Sequence, residues 1–176
     1  MRKLELGSGN RPRPGYEHLD IDPACPDLQY CCSFDKIPVK ANTFDELLSV
    51  HSIEHASWRT IKATLKEWHR VLKPGGKLHI ECPNLRWICE AYLKNGSEWQ
   101  ADSKNLHKDE RKHLKVQNFY SHTMWANFKL FSSTANGDVH LAAYDAHVLR
   151  SLLLEAGFGH VDLLSDDSTL TVEAYK

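Results

Sequence analysis

The sequence predicts an α/β fold with a mostly parallel sheet, to which the end of the chain adds an antiparallel strand. Short apolar segments that alternate like strands take turns with segments of helical periodicity, and a strand–turn–strand pattern closes the chain. This order is typical of parallel sheets, because each parallel connection needs a crossover. The 176 residues contain no repeat or linker, so one domain is expected over residues 1–176.

Seven segments carry the strand signal. They are rich in apolar residues and are bounded by Gly, Pro, Asn, Asp or Ser, as strands usually are. The last two are joined by the polar turn SDDS, which predicts a hairpin. The predicted strands are 3–6, 16–21, 28–32, 43–50, 77–82, 158–164 and 169–175.

Three segments carry the helix signal, each with a capping residue at its start. The first is predicted to begin at the N-cap Ser57 and to end at a Pro-Gly-Gly sequence. The second is capped by Asn84 and ends at Asn95, and the third is capped by Asp145 and ends at Gly157. The first helix places apolar residues at helical spacing: Trp58, Ile61, Leu65, Trp68 and Leu72.

The connections after the first two strands carry no helix signal. Residues 7–15 and 22–27 are short and contain prolines, among them Pro12 and Pro14. We therefore expect the helices between strands 1 and 2 and between strands 2 and 3 to be missing. Ten extended residues still reach about 33 Å, which is enough for a parallel crossover.

Composition narrows the class of protein. The formal net charge of −1 and the isoelectric point near 6.8 give no basic surplus for nucleic acid. No apolar run has the length of a membrane span, and no secretory leader is recognisable. The five cysteines form no CxxC pair, which favours reduced thiols. We expect a cytoplasmic protein without a nucleic-acid or membrane partner.

Two glycines, Gly7 and Gly9, follow the first predicted strand, and Asp20 lies at the end of the second. Glycines there let a ligand approach the backbone, and the acid can accept hydrogen bonds from both hydroxyls of a ribose. A dinucleotide site would need a third glycine at the start of a helix, but that position is Pro12. The pattern favours a nucleoside without phosphates, such as S-adenosylmethionine; a simple glycine turn is the alternative.

Five segments of the chain resemble motifs of the class I S-adenosylmethionine-dependent methyltransferases, in the same order and at similar spacing. The resemblance implies that family's Rossmann-like sheet, with S-adenosylmethionine as cofactor. The sequence has Arg11 where the family often has a third small residue. The segments are LELGSG (4–9), HLDID (18–22), FDKIPVKANTFDELLSVHSIEH (34–55), RVLKPGGKLHIECPN (70–84) and LRSLLLEAGF (149–158).

The resemblance also assigns candidate cofactor contacts. Where the family often places an acid against the adenine amine, this sequence has Ser33 and Phe34, so we expect stacking on Phe34 or a backbone contact instead. The candidate cofactor-binding residues are Glu5, Gly7, Ser8, Gly9, Asp20, Ile21, Ser33, Phe34 and His51.

Histidines supply the candidate catalytic groups. A general base is needed only if the acceptor must lose a proton, as a hydroxyl does. His51 and His55 follow the fourth strand, with Glu54 between them, and His140 precedes the last helix. The expected activity is methyl transfer to a small-molecule or glycan-like acceptor. The alternative is a non-catalytic protein that binds S-adenosylmethionine or S-adenosylhomocysteine.

The sequence HSIEH over 51–55 also fits the HxxEH pattern of one group of zinc peptidases. That pattern needs both histidines on one helix, and here it begins at the end of a predicted strand. A zinc hydrolase is therefore the weakest of the hypotheses, and no metal ligand is assigned.

Residues 97–138 form a long segment between the second and third helices. The segment has several large apolar residues, more than a solvated loop needs. We expect it to be a cap over the acceptor side of the pocket, with His122 or His140 facing the methyl group, or a homodimer interface. It would cover apolar side chains of the first two strands, among Leu4, Leu6, Leu19 and Ile21, which are expected to project on the sheet face that lacks helices as well as on the covered face.

Overall fold

The structure is a computed structural model that describes residues 1–95 and 140–176. Its strands are β1 (Lys3–Leu6), β2 (Glu17–Asp20), β3 (Leu28–Cys31), β4 (Phe44–Val50), β5 (Leu72–Pro83), β6 (His160–Asp166) and β7 (Thr169–Tyr175). Its helices are α1 (Ile61–Val71), α2 (Leu85–Asn95) and α3 (Ala146–Ala156), and a single 3-10 turn covers Ile53–His55.

The seven strands form one sheet in the order β3-β2-β1-β4-β5-β7-β6. The pairs β1–β2, β1–β4, β2–β3 and β4–β5 are parallel, whereas β7 runs antiparallel to both β5 and β6. The predicted mostly parallel sheet with an antiparallel C-terminal strand is thus confirmed. Residues 7–16 and 21–27, both within the described ranges, contain no helix, so the expected loss of the first two crossover helices is also confirmed.

One face of the sheet, here called the apolar face, packs against α1 and α3. Side chains from β1, β2, β4, β5 and β7 alternate onto it and join a single core with Leu65, Trp68, Leu149 and Leu153 of the two helices. Strand residues of this face include Leu4, Leu6, Leu19, Leu47, Leu78, Ile80, Cys82, Val161, Leu170, Val172 and Ala174.

The opposite face, here called the polar face, carries mostly charged side chains. The register pairs Glu5 with His18 and Glu46 with Lys77, so these residues lie side by side across neighbouring strands. Leu48 is an apolar residue among them. Polar residues of this face include Lys3, Glu5, His18, Glu46, Lys77, His79, Glu81 and Glu173.

The polar face corrects one expectation. We expected apolar side chains of β1 and β2 on both faces, but Leu4, Leu6 and Leu19 all belong to the core on the apolar face. Ile21 lies just after β2 and is 71% exposed. Because ion-paired side chains tolerate solvent, β1 and β2 create no need for an apolar cover on the polar face.

The start of α1 is a second correction. The helix begins at Ile61 with Thr60 as its N-cap, not at Ser57. Ser57 instead begins a turn, in which its carbonyl accepts hydrogen bonds from the N–H groups of Thr60 and Ile61, both at 2.9 Å. Trp58 therefore lies outside the helix and is exposed. The predicted caps Asn84 and Asp145 do accept hydrogen bonds from the first turns of α2 and α3.

Residues 96–139 lie outside the described ranges, so the cap-or-interface expectation for 97–138, with His122, remains a prediction. None of the helices in the described part of the chain is both long and apolar enough to span a membrane.

Candidate functional site

A cavity of about 830 Å³ opens at the carboxyl ends of the parallel strands. This is where ligands bind in open α/β sheets, because the loops that follow neighbouring strands meet there. The lining comes from the loops after β1, β2, β3 and β4, from the start of α1 and from Leu141 before α3. The lining residues are Gly7, Gly9, Asn10, Asp20, Ile21, Asp22, Cys25, Cys32, Ser33, Phe34, Asp35, His51, Ser52, His55, Ala56, Ser57, Thr60, Thr64 and Leu141.

The two glycines do different things. Both have a positive φ, +71° at Gly7 and +55° at Gly9, which few other residues adopt readily. A Cβ on Gly7 would lie only 2.6 Å from the Cβ of Ser52, so Gly7 allows the loops after β1 and β4 to touch. A Cβ on Gly9 would meet nothing within 4 Å, so the backbone there borders open space in the cavity.

Asp20 is held in place by the backbone on either side of it. Its Oδ2 accepts a hydrogen bond from the Gly9 N–H at 2.8 Å, and its Oδ1 accepts one from the Asp22 N–H at 3.0 Å. Each carboxylate oxygen keeps acceptor capacity beyond these bonds. The side chain is thus oriented toward the cavity before any ligand binds.

Glu5 and Ser8, both predicted cofactor contacts, do not line the cavity. Glu5 is 4% exposed; it accepts a hydrogen bond from the Arg13 N–H at 2.8 Å and lies 3.1 Å from His18 Nδ1. This places Glu5 on the polar face, as an anchor of the loop between β1 and β2. The Ser8 hydroxyl is buried, without a hydrogen-bond partner in the described part of the chain.

The other predicted cofactor residues are brought together around the cavity. Phe34 is held by Trp68, whose Nε1–H donates to the Phe34 carbonyl at 2.9 Å and whose ring meets the Phe34 ring edge to face at 5.8 Å. The predicted residues that line the cavity are Gly7, Gly9, Asp20, Ile21, Ser33, Phe34 and His51.

Several lining residues were not predicted from the sequence. Asp35 is the most informative of them. It provides a carboxylate directly after Ser33 and Phe34, which occupy the position where related methyltransferases often have an acid. Cys25 also lines the cavity, and burial, with the nearby Asp20 and Asp22 carboxylates, raises the pKa of its thiol to about 11. Cys25 therefore stays protonated at neutral pH and is a poor nucleophile.

The candidate catalytic histidines surround Glu54. Its Oε1 lies 3.4 Å from His51 Nδ1 and 3.9 Å from His140 Nε2, and the rings of His55 and His140 meet at 4.9 Å. Glu54 is buried, at 1% exposure. The cavity is lined by His51, by His55 and by Leu141, the neighbour of His140.

The same region shows that HSIEH does not adopt zinc-peptidase geometry. Only Ile53–His55 is helical, as a single 3-10 turn, and His51 precedes it with a left-handed φ of +50°. The two histidines of the pattern therefore do not share one α-helical face.

A comparison with known protein families identifies a methyltransferase domain in part of the chain. Residues 17–80 match the family model of the methyltransferase domain. No curated protein sequence is significantly similar to the chain.

Solved structures share the fold. A Thermotoga maritima S-adenosylmethionine-dependent methyltransferase, described as a possible histamine N-methyltransferase, has a TM-score of 0.60 at 16% identity, covering 99% of this chain and 82% of that one. An S-adenosylmethionine-dependent methyltransferase from Mesorhizobium loti has a TM-score of 0.59 at 15% identity, covering 99% and 90%. The 1,6-didemethyltoxoflavin-N1-methyltransferase of Burkholderia thailandensis, solved with S-adenosylhomocysteine, has a TM-score of 0.58 at 13% identity, covering 99% and 70%.

At such identities the solved structures establish the fold, which is the Rossmann-like fold of class I methyltransferases. The methyltransferase-domain model matches residues 17–80, about a third of the chain, and agrees with this fold. The resemblance read from the sequence motifs is thereby confirmed for the fold and, over residues 17–80, for the methyltransferase domain.

Proposed function

We propose that the protein transfers a methyl group from S-adenosylmethionine to a small-molecule acceptor. The observation that carries this proposal is the cavity itself, where the open backbone at Gly9 and the fixed carboxylate of Asp20 face the histidines that follow β4. A volume of about 830 Å³ lies within the range of small-molecule sites.

The cofactor would lie along the loops after β1, β2 and β3. Asp20 accepts hydrogen bonds from the ribose hydroxyls, while the backbone at Gly7 and Gly9 allows close approach of the cofactor. Phe34 offers a ring for stacking, and Asp35 can accept a hydrogen bond from the adenine amine. No helix begins in residues 7–16, so these loops do not offer a helix N-terminus for a pyrophosphate.

The acceptor would lie on the opposite wall. Methyl transfer is an in-line displacement in which the acceptor's lone pair attacks the methyl carbon and the carbon–sulfur bond breaks, so alignment of the acceptor supplies much of the rate. His51 and His55 line this wall, and Glu54 lies within 3.4 Å of His51 Nδ1 and can orient that ring. For an acceptor that must lose a proton, we assign the role of general base to His51, with His55 and His140 next to it.

A small molecule is the acceptor class that the site favours. The described lining contains no lysine or arginine, which nucleic-acid substrates would require. Two of the solved structures with this fold are named for small molecules: a possible histamine N-methyltransferase and a 1,6-didemethyltoxoflavin-N1-methyltransferase. A glycan-like acceptor is compatible with the same wall of neutral polar groups.

The cofactor part of the proposal is tested by titration calorimetry with S-adenosylhomocysteine. Asp20→Ala should weaken binding by about 1.5–3 kcal/mol, roughly 10- to 150-fold in Kd, because charge-assisted hydrogen bonds are lost. Asp162→Ala is the control, since Asp162 lies on β6 away from the cavity. Equal affinities for the wild type and Asp20→Ala would remove Asp20 from the binding site.

The catalytic part is tested with methyl-labelled S-adenosylmethionine and a fractionated cell extract. We expect label in the low-molecular-weight fraction, and less of it with His51→Ala; the S-adenosylhomocysteine affinity of this variant, measured in parallel, separates a loss of transfer from a loss of cofactor binding. Tight cofactor binding without transfer to any fraction would support the non-catalytic alternative.

A further inference from the structure

Glu54, His55 and His140 converge at the acceptor wall of the cavity. Each offers one possible ligand atom, and the three atoms lie within 4.8 Å of one another. We propose that these residues bind a divalent transition-metal ion, of which Zn²⁺ is the best match to two imidazoles and one carboxylate. This ligand set differs from that of the HxxEH pattern, which pairs His51 with His55 and does not include His140.

The backbone holds the three residues near one another. Glu54 and His55 occupy the 3-10 turn after β4, while His140 precedes α3. The Glu54 carbonyl accepts hydrogen bonds from the N–H groups of Leu141, at 2.8 Å, and Ala142, at 3.1 Å. The segment that carries His140 is therefore pinned to the turn that carries the other two residues.

The spacing is close to that of a metal site. Ligand atoms ~2.0–2.1 Å from a tetrahedral zinc are about 3.4 Å apart. The separation between His140 Nε2 and Glu54 Oε1 is 3.9 Å, longer than a hydrogen bond and about half an ångström from the tetrahedral spacing. Small rotations of the imidazole and carboxylate groups would bring the ligand atoms to coordination distance.

The second observation is an unsatisfied oxygen. Glu54 Oε2 is buried and has no hydrogen-bond partner in the part of the chain that the structure describes. A buried carboxylate oxygen without a partner is costly, and such atoms call for a specific explanation. A cation bound between Glu54 and the two histidines would compensate this charge.

Three protein ligands leave at least one coordination position open, as in catalytic rather than structural zinc sites. His55 lines the cavity, so that position would face it. If the proposed function holds, the metal would bind an oxygen or nitrogen donor of the acceptor, which narrows the acceptor to molecules that carry such a donor next to the methylated atom.

The test uses untagged full-length protein stripped with a chelator and titrated with Zn²⁺ against a chromophoric competitor. The wild type should bind one equivalent, and His140→Ala should weaken that binding at least about 100-fold, since removal of a ligand costs more than removal of an outer partner. His160→Ala is the matched control, because His160 is exposed on β6. Absence of stoichiometric binding to the wild type, or equal binding by wild type and His140→Ala, would overturn the site.

Two further measurements separate metal binding from folding and from methyl transfer. The Co²⁺-loaded wild type should show the visible absorption of a four- or five-coordinate site without a thiolate charge-transfer band, and a thiolate band would overturn the assigned ligands. S-adenosylhomocysteine calorimetry on His140→Ala reports whether the cofactor half of the cavity is intact. If the wild type binds metal but not S-adenosylhomocysteine, the metal site is supported and the proposed function is contradicted. If it binds S-adenosylhomocysteine but not metal, the proposed function is supported and the metal site is contradicted.

Discussion

The two faces of the sheet use different chemistry to stabilise the same strands. On the apolar face, side chains of β1, β4 and β5 are buried beneath α1 and α3. On the polar face, the alternate residues of the same strands form ion pairs across the ladder, such as Lys3 with Glu46 and Lys77 with Glu173, each at 2.8 Å. A parallel sheet is normally covered on both faces. In this protein the two crossover helices between β1 and β3 are missing, and the polar face carries charged side chains that are compatible with solvent.

β5 shows the difference within one strand. Leu78, Ile80 and Cys82 are fully buried, whereas the intervening Lys77 and His79 remain partly exposed and both contact Glu173 on β7. The comparison indicates that hydrophobic burial supplies most of the stability, and that charge pairing mainly keeps the second face compatible with solvent.

The largest expected effect is on the apolar face. Leu47→Ala should lower the free energy of unfolding by about 2–5 kcal/mol, because the fully buried side chain leaves a cavity. Urea unfolding followed by circular dichroism measures it. Leu163→Ala, at a 51% exposed position, is the matched control and should change stability by less than about 0.5 kcal/mol. Similar losses for the two variants would contradict the difference in burial.

An intermediate effect is expected at Glu5, the most buried charged group of the polar face. Glu5→Ala should cost about 1–3 kcal/mol, because the Arg13 N–H and His18 lose their acceptor. Glu5→Gln should cost less, since the amide oxygen can still accept from Arg13. Both variants are compared by urea unfolding. If Glu5→Gln instead weakened S-adenosylhomocysteine binding as strongly as Asp20→Ala does, Glu5 would be a cofactor contact after all.

The smallest effect concerns Glu173, whose pKa is lowered to about 2, first by the hydrogen bond from Lys77 and further by Tyr175 and His79, against the opposing effect of burial. A depressed carboxyl pKa contributes stability above the ordinary value of 4.5, and that contribution is lost as the pH falls toward about 2. Near neutral pH, the free energy of unfolding of the wild type should be higher than that of Glu173→Gln by about 1 kcal/mol or less. The urea midpoints of the wild type and Glu173→Gln, measured between about pH 6 and pH 3, should converge as the pH falls. A difference that grows in acid would show that the Glu173 carboxylate does not stabilise the fold in this way.

The sequence predicted the fold well because its signals are local. Each strand has its own apolar alternation, and the caps Asn84 and Asp145 act within one helical turn. The error at Ser57 has the same origin: a good capping residue was present, but the chain makes a turn there before α1 begins. The polar face was not predicted because its charge pairs, such as Glu5 with His18 and Glu46 with Lys77, depend on strand order and register, which local alternation does not encode.

The candidate site was predictable only in part. Gly7, Gly9 and Asp20 lie in segments whose loops meet whenever parallel strands are neighbours, so their order in the sequence was informative. The closeness of His140 to Glu54 depends on how the segment before α3 packs, and no local pattern encodes it. Asp35 had a sequence signal, its position directly after Phe34, but it lies one residue beyond Ser33 and Phe34, which occupy the family's usual acid position.

The helix-free loop after β1 has a consequence for turnover. A helix N-terminus carries partial positive charge, and here none in the described chain points from that loop toward the cavity, while Asp20, Asp22 and Asp35 line it. Carboxylates in these positions would attract a sulfonium ion more strongly than the neutral thioether that remains once the methyl group has left. If the proposed function holds, the helix-free connection between β1 and β2 would therefore favour binding of the charged cofactor over its neutral product.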